Sequence, residues 1–402
     1  MPLSLRARVV FPVDQPPIEN GVVTIDGGRI LTVGTKSPDG DVIDLGCTAL
    51  IPGLVNAHTH LEFSYLHQPL GNAGIPFVDW IRLIIAERGR STYTPQQAAE
   101  AGLQESVACG VSTLGDITTG TMLPGADITH FHEVIGFSRA RADSALNALH
   151  ERMNTEPTAT PIARGVSPHA PYTVSPKLVE LLTEFAAQNN LPIAMHLAES
   201  REELELLRDG AGPFRVLLEE RSMWDPDAIP LGSRPLNYLR ILAKAPRALV
   251  IHGNYLDSAE LGFLGAMRNQ MSLVYCPRTH SFFGHEPYPL AAALAAGARV
   301  ALGTDSRASN PDLSLLTEMR FVSRQYDWLD PATVLRMGTL SGAVALGRDA
   351  DVGSITSGKL ANLVAVPIAD ESLATPDEML NSVLASDAAP SAVYLAGRPL
   401  HA

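Results

Sequence analysis

The chain is poor in cysteine: Cys47, Cys109 and Cys276 are its only three in 402 residues. An odd number at such distances argues against a disulfide framework, and no pair has zinc-finger spacing. Positive charge is also scarce, with 30 Lys and Arg against 43 Asp and Glu and a formal net charge of -13. No run of basic residues breaks this balance, which argues against nucleic acid or an anionic membrane as a partner. Long apolar runs are missing as well. The richest stretch, Leu290 to Leu302, is interrupted by Arg299 and is too short to span a bilayer. The start, Met1-Pro2-Leu3-Ser4-Leu5-Arg6, lacks the apolar centre of a signal peptide. With 46% hydrophobic and 18% charged residues, the balance is that of a globular chain with a large core. A cytoplasmic protein with reduced thiols is expected.

What the chain does have is alternation. Eight short apolar runs lie near 51–57, 111–116, 131–136, 162–168, 192–197, 248–253, 271–276 and 298–304, each separated by enough chain for a helix. One such helix covers Lys177 to Phe185 and is announced by Ser175-Pro176. Repeated strand–helix alternation predicts a parallel sheet, and eight units close most naturally into a (β/α)8 TIM barrel. The two ends differ. Residues 5–50 read as short strands and turns, with Asp26-Gly27-Gly28 as a hairpin signal. Residues 358–402 behave likewise, so both ends are expected to pair into one small discontinuous β-sandwich domain. The expected division is 1–50 and 355–402 for the sandwich and 51–354 for the barrel. Asp209 to Asn237, with several Gly and Pro residues and Trp224, reads equally as a pocket rim or as a plain surface excursion.

Several of these runs end on groups that can hold a metal. His58 and His60 close Ile51-Pro52-Gly53-Leu54-Val55-Asn56-Ala57, and side chains two apart on a strand share a face. His196 and Glu199 follow Pro192-Ile193-Ala194-Met195, His252 follows Ala248-Leu249-Val250-Ile251, and Asp305 follows Val300-Ala301-Leu302. Four strand ends converging at the C-terminal rim is where barrel chemistry lies. Three imidazoles and a carboxylate (His58, His60, His196 and Asp305) suit one divalent ion, zinc first and iron second, with a position left for water. Such an ion lowers the pKa of bound water to about 7. Glu199 is placed to shuttle a proton, His252 to orient or polarise, and Asp305 to relay a proton to a leaving group. A single buried histidine is more often a satisfied core residue, and a lone Asp often caps a helix. For five such groups on the expected strands coincidence is a poor explanation. His67, His130, His132, His150 and His401 show no pattern and read as surface or packing residues.

These segments resemble the amidohydrolase superfamily over nearly the whole chain: Pro52 to His60, His196-Leu197-Ala198-Glu199, His252-Gly253, Gly303-Thr304-Asp305 and Gly358 to Val364. The resemblance implies one metal on His58, His60, His196 and Asp305, with Glu199 and His252 as proton shuttle and water-orienting residue. Val166-Ser167-Pro168-His169-Ala170-Pro171-Tyr172 has no lysine to be carboxylated. That points to the mononuclear branch of deaminases and triazine chlorohydrolases, in which His169 faces the substrate. His60-Leu61-Glu62-Phe63-Ser64 and Phe77-Val78-Asp79-Trp80-Ile81 resemble the 6-aminodeoxyfutalosine deaminases. By that likeness Glu62, Trp80 and Ser309 lie near the substrate. Two departures are Val78, where some nucleoside deaminases of the branch carry a ribose-binding glutamate, and Cys276-Pro277-Arg278-Thr279-His280 at the seventh strand end.

Arg278 and His280 read in their own right as receivers of a carboxylate or phosphate. Arg278 reads equally as a clamp on rim-loop carbonyls. The expected activity is hydrolytic deamination of an amino-substituted N-heterocycle, possible substrates including a 6-aminopurine nucleoside such as 6-aminodeoxyfutalosine. The alternatives are hydrolysis of a chloride, amide or cyclic imide at the same site and, more remotely, a non-catalytic metal-binding barrel. The expected partner is a small-molecule substrate, and a homodimer is an admissible assembly because barrels of this kind often pair.

Overall fold

The computed structural model describes residues 2–36, 41–88, 90–124, 127–155 and 163–400. Its centre is an eight-stranded parallel sheet whose strands neighbour one another in chain order. The strands are Leu54–Thr59 (β1), Val111–Thr118 (β2), Ile128–Val134 (β3) and Ala163–Pro168 (β4), then Ile193–Leu197 (β5), Ala248–His252 (β6), Met271–Tyr275 (β7) and Val300–Leu302 (β8). The ring closes where Thr59 bridges Asp305 and the Thr304 and Asp305 N–H groups donate to the carbonyl of His58. All eight strands are almost wholly buried, as parallel strands covered on the outside by helices must be. Helices surround them. One is Pro176–Gln188, opened by Ser175, whose hydroxyl accepts the N–H of Leu178, and by Pro176 in its first turn.

The ends form two further sheets. A four-stranded sheet holds 29–34, 22–26, 3–6 and 41–44, and a six-stranded one runs 398–399, 392–395, 363–367, 48–52, 9–10 and 18–19. Leu5, Val23 and Ile30 of the first pack with Val10, Leu50, Leu363 and Tyr394 of the second in one apolar cluster. The Asp26-Gly27-Gly28 hairpin forms as read, with both glycines at positive φ.

Two local readings change. The run at 51–57 is two strands: Thr48–Pro52 belongs to the terminal sheet, and the barrel begins at Leu54. Gly53 is the switch, because a Cβ there would lie 2.4 Å from the Ser112 hydroxyl. The C-terminal segment also carries a helix, Pro376–Ala385, opened by a Thr375–Glu378 capping box. No helix among the described residues is long and apolar enough to cross a membrane.

Candidate active site

The barrel's C-terminal rim gathers the residues that ended the apolar runs. His58 lies in β1, His60 just beyond it, His196 in β5 and His252 at the end of β6. The sharp exits from three strands are made in the left-handed region, at Ala198 (φ 54°), His252 (φ 67°) and Asp305 (φ 56°). Such conformations are uncommon away from glycine and concentrate at functional sites.

Nε2 of His60 is 3.3 Å from Nε2 of His196. Asp305 Oδ1 lies 3.5 Å from Nε2 of His58 and 3.8 Å from Nε2 of His60. Tetrahedral donors at zinc bond lengths sit about 3.4 Å apart, so each of these three contacts has roughly the spacing of neighbouring ligands on one ion. The remaining polar contacts agree with a metal. Both ring nitrogens of His58 are buried without a hydrogen-bond partner. Nδ1 of His196 donates to the carbonyl of His169 at 2.9 Å, which turns a bare Nε2 toward the cluster. Burial, with the charge of His58 next, holds His60 and His196 well below the usual imidazole range, so both are neutral donors. Burial pushes the Asp305 carboxyl up, but His58, His252 and His60 outweigh it and hold it ionised.

A shell of hydrogen bonds fixes this geometry. Ser309 Oγ donates to Asp305 Oδ2 at 3.0 Å, and Thr59 Oγ1 donates to the Asp305 carbonyl at 2.9 Å. Asn56 accepts the His58 N–H at 3.3 Å and donates to Thr304 Oγ1 at 2.8 Å, tying β1 to the residue before Asp305.

Glu199 faces His252, with Oε1 3.3 Å from Nε2. Burial, with Asp305 and Glu203 nearby, lifts its carboxyl well above the usual range. Its surroundings therefore favour the protonated form. The turn that presents it is held by Glu203, which the sequence reading missed. Glu203 is fully buried, and its two oxygens accept the N–H of Ala198 (2.7 Å) and of Glu199 (3.1 Å).

Above this floor opens a cleft of about 850 Å³, mouth included, within the size range of small-molecule sites. Its walls are aromatic and aliphatic, chiefly Phe63, Phe77, Trp80, Ile84 and Tyr172, with Arg88, Glu133 and His169 as polar points. Phe77 stacks on Trp80, and Tyr172 stacks on Phe214 of helix Pro213–Glu220. The 209–237 segment thus backs the pocket wall through Phe214 and supplies none of the cleft-lining residues.

The other expected substrate contacts divide. Trp80 and His169 line the cleft, with Trp80 Nε1 donating to the Ala308 carbonyl at 3.1 Å. Glu62 lies beside it, bound to Arg88 at 2.6 Å and to the Thr119 hydroxyl at 2.7 Å. Ser309 points at Asp305, and its role in the structure is to hold that carboxylate. Of the two readings of Arg278, the structure favours the clamp. Its guanidinium is paired with Glu318 at 2.7 Å and with Asp312 at 2.6 Å, and it also donates to the Asp312 carbonyl. With its donors engaged away from the cleft, it acts as the loop clamp and not as the anion receiver. His280 is likewise buried off the cleft, its Nε2 bonded to the Glu286 carbonyl at 2.9 Å. The polar side chain at the cleft mouth is Arg88, which also covers the ring of Phe63 at 4.9 Å. Glu133 at the end of β3 carries the same signal as the other strand-end acids. Arg88, at a helix end, carried none.

A model of the amidohydrolase family matches residues 49–400, and the chain belongs to that family. It is 31% identical over 326 residues to aminodeoxyfutalosine deaminase of Deinococcus radiodurans, covering 74% of this chain and 73% of that one. It is 29% identical over 392 residues to 5-methylthioadenosine/S-adenosylhomocysteine deaminase of Pyrococcus furiosus, covering 90% and 86%. The fold superposes on Helicobacter pylori aminofutalosine deaminase in complex with methylthio-coformycin with a TM-score of 0.86, at 21% identity over 99% of this chain and 100% of that one. The chain is a metal-dependent hydrolytic deaminase, a hydrolase of carbon–nitrogen bonds outside peptides.

Proposed function

We propose that this chain deaminates a 6-aminopurine nucleoside in the cytoplasm, and that aminodeoxyfutalosine, the substrate named for the Deinococcus relative, is the leading candidate. The observation that carries the reading is a buried Glu199 3.3 Å from His252, set next to a histidine–aspartate cluster beneath an aromatic cleft. His58, His60, His196 and Asp305 would hold the ion, zinc by the nitrogen-rich donor set with ferrous iron as the alternative. That ion supplies a water of lowered pKa at the cleft floor.

The chain's own residues do the rest. Trp80, Phe77 and Phe63 provide flat apolar walls on which a purine can stack, leaving its amino-bearing carbon toward the floor. Glu199 protonates the ring nitrogen next to that carbon, which makes the carbon electron-poor as water adds. His252, held neutral by burial and 3.3 Å from the Glu199 carboxyl, polarises the attacking oxygen. Asp305 accepts the proton released from the water and passes it to the amino group. The carbon–nitrogen bond then breaks and ammonia leaves, while the hydroxyl proton passes to Glu199, which leaves a ring carbonyl and restores the acid.

The test is ammonia release by purified, metal-loaded protein from aminopurine nucleosides, aminopyrimidines and triazines. Release from the 6-aminopurine nucleosides, aminodeoxyfutalosine foremost, is expected. Chloride release, or cleavage of an amide or imide, with no ammonia from aminopurines would overturn the reading.

A further inference from the structure

Glu133 ends β3 on the wall of the cleft and is only 7% exposed. Among the described residues no donor is hydrogen-bonded to its carboxyl group. The polar group nearest in the ion-pair geometry is Nε2 of His169, 3.9 Å from Oε1. That nitrogen does not serve as a donor. Thr173 Oγ1 gives its proton to the Ala170 carbonyl at 3.1 Å and so takes the Nδ1–H of His169 at 2.7 Å. Nε2 is left as a lone pair. Two acceptors, one on a buried side chain and one on a half-buried ring, therefore face one gap in the cleft wall, and a ligand that covered them without offering donors would leave them desolvated at a cost.

A ligand that fills this gap has to bring donors. Charge narrows the choice further. Burial raises the Glu133 carboxyl and the charges of Arg88 and Arg152 oppose that rise, so a cationic ligand group would meet two guanidinium groups already in place. Neutral hydroxyls meet no such opposition. Two adjacent hydroxyls suit the gap: one donates to Glu133, and the other donates to its second oxygen or to Nε2 of His169. We propose that Glu133 receives the vicinal hydroxyls of the substrate's sugar and so sets a preference for ribose over deoxyribose. The proposal rests on the nucleoside reading above.

The experiment compares kcat/KM for a 6-aminopurine ribonucleoside and its 2′-deoxy and 3′-deoxy counterparts, in the wild-type enzyme, Glu133→Gln and Glu133→Ala. Metal content and circular dichroism are measured on each. The wild type should prefer the ribonucleoside by about ten- to a hundredfold, the range for a hydrogen bond to a charged group. In Glu133→Ala that preference should shrink to about threefold or less, through a larger loss on the ribonucleoside than on either deoxy substrate, each of which keeps one hydroxyl. Glu133→Gln, which keeps one acceptor, should fall between. Equal use of ribo and deoxy substrates by the wild type would overturn the proposal while leaving the deaminase reading intact. So would a uniform loss on all three substrates in Glu133→Gln with metal bound. Silence of the wild type on every aminopurine nucleoside would overturn the nucleoside reading itself, and this proposal with it.

Discussion

Replacing Glu203 by Gln tests whether the turn that presents Glu199 is held by the contacts described above. The substitution preserves size and burial. It exchanges one oxygen that accepts a backbone N–H for an amide nitrogen that cannot, so either Ala198 or Glu199 loses its partner at 2.7 or 3.1 Å. A buried N–H left unpaired costs about 1–3 kcal/mol. If the turn relaxes to relieve that cost, Glu199 moves and the loss appears in kcat, as roughly a 5- to 150-fold reduction. The assay is steady-state ammonia release with metal content measured in parallel, since Glu203 touches no donor of the histidine–aspartate cluster. A kcat within about twofold of wild type, with metal retained, would refute the positioning role. A pH signature accompanies it. Burial pushes Glu203 up to about 8 from 4.5 against the opposing pull of its two backbone N–H partners. The fold therefore favours the protonated form. Its contribution to stability is fully present below about pH 4.5 and is lost as pH rises through about 8. Urea unfolding of wild type against Glu203→Gln should show the wild type losing stability relative to the variant across that window.

Glu199→Gln should keep its metal while kcat falls by about two to four orders of magnitude, the range for a lost general acid–base group; metal analysis beside turnover checks both halves. His58→Ala should fail to retain the ion, and added zinc should restore little activity. Arg278→Ala should destabilise the fold by about 3–5 kcal/mol, because it strands the fully buried carboxylate of Glu318. Chemical unfolding measures that loss, while KM for an anionic substrate should change no more than KM for a neutral one.

The gathering of His58, His60, His196 and Asp305 was legible in the sequence because each of them ends an apolar run. In a parallel barrel those ends meet at one rim whatever the loops between them do. The hairpin at Asp26-Gly27-Gly28 was legible because its turn is local. The break at Gly53 was not, since it depends on how close Ser112 and Asn362 approach from other elements. Helix Pro376–Ala385 had its local signal in Thr375-Pro376-Asp377-Glu378, and the β reading of its neighbours obscured it. Of the two readings open for Arg278, the sequence could not single out the clamp, for a long-range reason. Asp312 and Glu318, which engage it, lie 34 and 40 residues further along the chain. Glu203 was hidden by its position in a charged helical turn, where one buried acid looks like its exposed neighbours.

The central claim is that water replaces an amino group on a purine ring at the His58–Asp305 cluster. The most direct measurement is turnover of aminodeoxyfutalosine by metal-loaded protein in ¹⁸O-labelled water, with the product analysed by mass spectrometry and ammonia counted. One labelled oxygen in each product ring and one ammonia per turnover are predicted, with both abolished by removing the metal. Product without solvent oxygen, or turnover that releases no ammonia, would contradict the account.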